Sequence, residues 1–249
     1  MVGFRRYLTT AIVLAFLVNP SLGQEPGPAN LIDVEFSVYS FKRITGLRYT
    51  NPAGALEDVT FYSSSRSPVH RYKGANPVVF YSTVADPSSE NPDGVSHLPV
   101  AEVSVPPGVR KALLIFFASE RSEDEVDRYL VYPYDDSLSN LSQGEIVFFN
   151  VSGFTMDGFI DRRQVSLRLG PSAPYRVGGG TIRVTLGVYA GRRYRQSFDS
   201  PVSLGSDQRG IVFFFPPFLE GSPEVQSRVL IENLAARADP EMRRNETRE

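Results

Sequence analysis

The apolar residues of this chain recur in short runs with a period of two, broken at close intervals by turn-forming residues, and no other feature restricts the fold as much. In Asp33, Val34, Glu35, Phe36, Ser37 and Val38 the alternation puts Val34, Phe36 and Val38 on one strand face. Comparable runs occupy 58–62, 78–83, 100–105, 112–118, 129–134, 146–150, 165–169, 181–189, 211–215 and 225–231. Between them stand Asn51 with Pro52, Asn76 with Pro77, and the breaker clusters at 91–94, 106–108 and 178–180. This punctuation predicts an all-β sandwich or barrel. Helical signals are confined to single turns at 122–126 and 232–237. A parallel α/β sheet requires crossover helices, so most nucleotide-binding architectures are excluded.

Three runs, 113–117, 146–149 and 211–215, are continuously apolar. Strands of that kind are central or buried on both faces. The first and third close stretches of about a hundred residues, a common size for one sandwich domain. The expected architecture is two tandem antiparallel β-sandwich units of immunoglobulin-like type at 31–118 and 128–234, with one large sandwich as the alternative. An acidic connector is expected at 119–127, where Glu120, Glu123, Asp124, Glu125 and Asp127 gather. Residues 24–30 read as a Pro and Gly linker and 235–249 as a disordered charged tail.

At the N-terminus Arg5 and Arg6 precede an apolar run over 8–18, followed by Asn19 and Pro20. Ser21 and Gly23 supply the small side chains that a signal peptidase needs for a cut before Gln24. The run is shorter than the about 20 residues that span a bilayer. Residues 1–23 are therefore expected to be a signal peptide, and the mature chain periplasmic or secreted, without an integral membrane anchor. With no Cys, disulfides, thiolate metal sites, thiol nucleophiles and a lipid-bearing cysteine are excluded. A net charge of −2 provides no broad electrostatic reason to bind nucleic acid or anionic lipid.

Arg66, Ser67, Pro68 and Val69, then Pro77, Val78, Val79, Phe80 and Tyr81, then the turn at 105–108 leading into Leu114, Ile115, Phe116 and Phe117, resemble exported all-β proteins of Gram-negative, Verrucomicrobia-like bacteria. A matching feature stands at 210–216 in the second half. The resemblance implies an exported all-β protein and brings no catalytic residue with it.

Chemistry-bearing patterns are sparse. His70 and His97 are the only histidines, so a three-histidine metal site cannot form within one chain, and each reads as a surface or edge residue beside a turn. No Gly-x-Ser-x-Gly elbow or Ser-x-x-Lys pair occurs. Gly178, Gly179 and Gly180 precede a strand and lack the ending of a phosphate loop, so they read as a turn. Glu90, Asn91 and Asp93 offer oxygen ligands without the bidentate acid that closes a calcium loop. Asp135 with Asp136, and Asp157 with Asp161, are the carboxylate pairs that glycoside hydrolysis could use, given a spatial separation of roughly 5 to 9 Å. Among the tyrosines, Tyr175, Tyr189 and Tyr194 are the binding candidates, and Tyr39, Tyr49 and Tyr72 could also keep a wet phenol. Gly191 marks a hairpin turn that puts Arg193 and Arg195 on one strand face and Tyr194 on the other.

These readings lead to an exported, noncatalytic interaction or structural module of the cell envelope or secreted space. Its partner would be an envelope protein or a glycan, with no cofactor, metal or nucleic acid. The alternatives are a glycan-active hydrolase using a carboxylate pair, and a carbohydrate-binding module.

Overall fold

The computed structural model describes residues 30–60, 65–86, 88, 94–119 and 128–234. The expected signal peptide and charged tail, the acids at 120–127 and the oxygen ligands Glu90, Asn91 and Asp93 lie outside the described residues. The first unit contains β1 (Leu31–Ser40), β2 (Leu47–Thr50), β3 (Leu56–Asp58), β4 (His70–Ala75), β5 (Val78–Ala85), β6 (Val95–Val103), β7 (Lys111–Ala118) and β8 (Tyr129–Asp135). The second contains β9 (Glu145–Asn150), β10 (Met156–Ile160), β11 (Arg163–Leu167), β12 (Gly170–Pro171), β13 (Tyr175–Arg176), β14 (Gly180–Ala190), β15 (Arg193–Leu204), β16 (Gln208–Phe215) and β17 (Gln226–Asn233). The all-β class expected from the alternation is the observed one.

Four sheets result, with orders β4-β1-β7-β8 and β3-β2-β5-β6 in the first unit, and β12-β9-β16-β17 and β11-β10-β14-β15 in the second, where β13 also pairs with β9. The sheets are not purely antiparallel, because β1 pairs parallel to β7 and β9 parallel to β16. No crossover helix is needed, since the intervening strands of each unit form the crossover.

The two units repeat one plan at the level of register. Phe36 stands opposite Ala112 as Ile146 stands opposite Gly210, and each bears a further partner on its other side, His70 and Tyr175. Ser67 donates its N–H to the Val38 carbonyl and accepts from the Val38 N–H through Oγ, and Ser172 does both with Phe148. A bulge follows Phe80 in β5 and Leu186 in β14.

Because the chain repeats, each unit has its own core. One is built around Phe36, Tyr49, Phe80 and Phe116, and the other around Phe148, Val184, Leu186 and Phe214. A third core joins the units through Tyr39, Leu113, Ile115, Val147, Phe149 and Phe213. The molecule is therefore four layers deep, with β4-β1-β7-β8 and β12-β9-β16-β17 as the inner pair. This is why the runs at 113–117, 146–149 and 211–215 do not alternate: both faces of these strands are dry. Rings meet across the middle layer, with Tyr39 stacked 5.3 Å from Phe213 and Phe41 edge-on 4.2 Å from Phe215.

Four expectations change. The passage between units falls at 136–144 rather than 119–127, because β7 and β8 are antiparallel neighbours from Ala112 opposite Asp135 to Ala118 opposite Tyr129. An acidic stretch suits a connection within one sheet as well as one between domains. The strand expected at 58–62 ends at Asp58 as β3, and Glu232 and Asn233, expected to begin a helical turn, are strand residues paired to β16. Tyr39, Tyr49 and Tyr72 are core residues.

Candidate functional site

The outer sheet of the second unit carries the exposed aromatic surface. In β14, Ile182, Val184, Leu186 and Val188 face the core, so Tyr189 points outward. Its partner across the hairpin is Tyr194, and the rings meet edge to face at 5.4 Å. Gly191 closes the turn at φ +64°, a conformation that L side chains rarely adopt. Tyr194 leans over Gly187, where a Cβ would overlap its ring, and donates its hydroxyl to the Asp157 carbonyl of β10 at 3.1 Å. Its phenol pKa is raised, first by desolvation and then by Tyr189 and the Asp157 carboxylate. Phe159, two residues along β10 from Asp157, occupies the same outward face. Tyr189, Tyr194 and Phe159 are 63%, 47% and 50% exposed. Arg192, Arg193 and Arg195 are exposed at the same hairpin tip.

Tyr175 lies elsewhere. It lines a cavity of about 280 Å³ at the side seam of the second unit, between edge strand β11 and the 172–175 segment. The Arg163 guanidinium sits 5.9 Å from the centre of its ring. The three tyrosines expected to bind therefore fall into two places, with Tyr189 and Tyr194 together and Tyr175 apart. Sequence reading missed Phe159 and Arg163. Phe159 could have been found from the alternation of 156–160, whose outward member it is.

Three of the four carboxylate candidates, Asp135, Asp136 and Asp161, have their carboxylates engaged within the fold, whereas Asp157 is held through its backbone carbonyl. Asp135 Oδ1 accepts from the Ser137 N–H at 3.0 Å, capping a turn. Asp136 is buried between two guanidinium groups, with Oδ2 2.6 Å from Arg66 and Oδ1 2.8 Å from Arg209. Asp161 occupies the β10–β11 turn at φ +52°, and its Oδ1 accepts from the Arg183 N–H at 2.8 Å. Asp157 offers its carbonyl to Tyr194 from the outward face.

Arg209 also reaches Glu232 at 2.7 Å and donates to the carbonyls of Asp136 and Leu141, both at 3.1 Å. Arg66 belongs to the first unit, Asp136 opens the passage between the units, and Arg209 and Glu232 belong to the second. The four-residue network thus ties the units together beside their shared core.

His70 opens the edge strand β4, in keeping with the edge alternative of the expectation, but its side chain lies in the seam and not on the surface. Its side chain is 8% exposed, stacked on Phe36 at 5.4 Å and edge-on to Tyr49 at 5.4 Å. Nδ1 is 3.5 Å from Glu57, while Nε2 is buried with no partner. Desolvation lowers its pKa against the opposing pull of Glu57. The same setting pushes the Tyr49 phenol up to about 12, through burial first and then Glu57. His97 Nδ1 lies 3.2 Å from Thr83 Oγ1. Among the described residues no group of three His, Asp or Glu side chains is placed to hold a metal ion. Comparison with protein-family models and with curated proteins finds no match to this chain.

Proposed function

We propose that this chain is an exported, noncatalytic interaction module of the cell envelope or secreted space, and that it binds through the outer face of its second unit. One observation carries the reading: Tyr189, Tyr194 and Phe159 share an exposed sheet face whose opposite side is packed core. Aromatic side chains left half in water on a rigid support bind apolar faces of glycans or peptides at little entropic cost. Placement outside the cytoplasm rests on Arg5, Arg6, the apolar run at 8–18 and the small residues Ser21 and Gly23.

The test uses the chain from Gln24 to Glu249, applied to immobilised glycans and to envelope fractions, with binding and turnover followed separately. Binding that falls at least tenfold in a Phe159→Ser, Tyr189→Ser, Tyr194→Ser variant of unchanged circular dichroism supports the assignment. Binding that survives the triple replacement overturns the proposed face. Hydrolysis abolished by Asp157→Asn would replace the module by an enzyme.

A further inference from the structure

The internal repeat allows the side seams of the two units to be compared position by position. In the first unit the seam between β3 and β4 is filled by the chain itself, through Tyr49, Glu57 and His70 packed against Phe36. When the two bulges are aligned, the second unit has Gly158 where the first has Tyr49, Val165 where it has Glu57, and Tyr175 where it has His70. The bulky filler is gone, β4 is replaced by the two short strands β12 and β13, and the cavity of about 280 Å³ opens there.

One wall of that opening is the bare edge of β11. Prolines sit in β6, β8, β12 and β15, all edge strands, where a missing N–H discourages further pairing. β11 has none. Apart from the Leu167 carbonyl, which accepts from Asn150 Nδ2, its backbone is bonded only to β10 among the described residues. Side chains of alternate β11 residues, Val165 and Leu167, turn inward toward Phe148 and Tyr175, and Arg163 follows at the rim. No carboxylate among the described residues pairs with Arg163.

We propose that this seam receives an extended peptide segment of a partner protein, added as a strand on β11, with an apolar residue and an acidic residue two positions apart. The spacing follows from the pleat, which points residues i and i+2 to the same side. The apolar side chain enters the cavity beside Val165 and Leu167, and the acid meets the unpaired Arg163 guanidinium at the rim. The seam is separate from the outward aromatic face, so either site can fail without the other.

The probe is the blocked heptapeptide Ser-Val-Thr-Glu-Thr-Val-Ser, which presents the pattern in either strand direction, titrated into the full chain by NMR. Saturable shifts and slowed amide exchange within 163–167 are expected. Arg163→Glu should weaken binding by roughly tenfold and favour the same peptide with lysine in place of its glutamate. Arg163→Gln, which removes the charge without reversing it, should lose affinity for the glutamate peptide and gain none for the lysine peptide. Absence of saturable binding at millimolar peptide, or binding indifferent to both Arg163 variants, overturns the proposal. It is equally overturned if sedimentation shows the peptide-free chain to be a dimer that Arg163→Glu dissociates, since a second copy would then occupy the seam.

Discussion

Arg209 is the residue on which the most polar contacts between the units converge. Its side chain is 1% exposed and engages Asp136, Glu232 and two carbonyls. A buried ion pair adds little over a well-packed apolar pair, yet removing one partner strands the other without water. Arg209→Met should therefore cost roughly 3–5 kcal/mol in chemical denaturation, because Asp136 keeps only Arg66 among these two arginines. An unchanged midpoint would show that water replaces the guanidinium. His70 makes stability depend on pH. Burial holds its folded pKa below the ordinary 6.5, so the unfolded chain takes the proton first. The neutral ring's contribution is complete above pH 6.5 and is lost as the pH falls below it, by at most about 1.4 kcal/mol per pH unit. His70→Phe, which keeps a ring against Phe36, should flatten that slope in denaturation curves measured from pH 7.5 to 5, and an unaltered slope would place the titration elsewhere.

At the scale of elements, the β14–β15 hairpin shows how a missing side chain shapes a surface. Gly187 leaves the space over which the Tyr194 ring lies, and the ring's hydroxyl ties the hairpin to β10. A methyl group at Gly187 would overlap both the Tyr194 ring and the Arg195 carbonyl, so Gly187→Ala should destabilise by about 1–3 kcal/mol and free Tyr194 to move. Tyr194→Phe removes only the hydrogen bond and should cost about 0.5–1 kcal/mol. Equal losses in the two variants, measured by thermal unfolding, would show that the bond and not the packing governs the hairpin. The same elements show what the residues disclose before folding. β5, β7, β9, β14 and β16 were legible because each carries several buried apolar residues at strand spacing. β4 was not, since it buries only Tyr72, and β15 was read only at 193–195, across the Gly191 turn, since it opens with four exposed residues. Such edge strands are held by neighbours' hydrogen bonds more than by their own apolar pattern. Tyr189 and Tyr194 could be read as a pair across Gly191 because a two-residue turn joins them, whereas Arg163 and Tyr175 meet only through the packing of two sheets.

At the scale of the molecule, the two units share too much apolar surface to be independent. The faces of β7, β9 and β16 that carry Leu113, Ile115, Val147, Phe149, Ile211 and Phe213 are buried only because the inner sheets cover one another. Rings of the two units contact across the junction, Tyr39 and Phe41 against Phe213, Phe41 against Phe215, and Phe117 and Tyr132 against Phe149, and the Arg66–Asp136–Arg209–Glu232 network lies beside them. Each fully buried side chain of this type is worth about 1.5–3 kcal/mol relative to exposure, so the six on β7, β9 and β16 amount to about 9–18 kcal/mol, comparable with a typical domain's whole margin of about 5–15 kcal/mol. Two tandem sandwiches on a flexible connector would unfold in two steps, but a four-layer stack should unfold in one. Residues 24–249 are therefore expected to lose near-ultraviolet dichroism, tyrosine fluorescence and far-ultraviolet signal at one midpoint. A fragment ending at Asp135 should expose Leu113, Ile115 and Phe117, bind a hydrophobic dye and aggregate. If that fragment is instead monomeric and as stable as the whole chain, the middle core contributes nothing and the units are separate domains in contact. The replacement Phe213→Ser separates the two cases within the full chain. A shared core predicts that the single transition moves down by roughly 3–5 kcal/mol, whereas separate domains predict that it splits and only the second unit shifts.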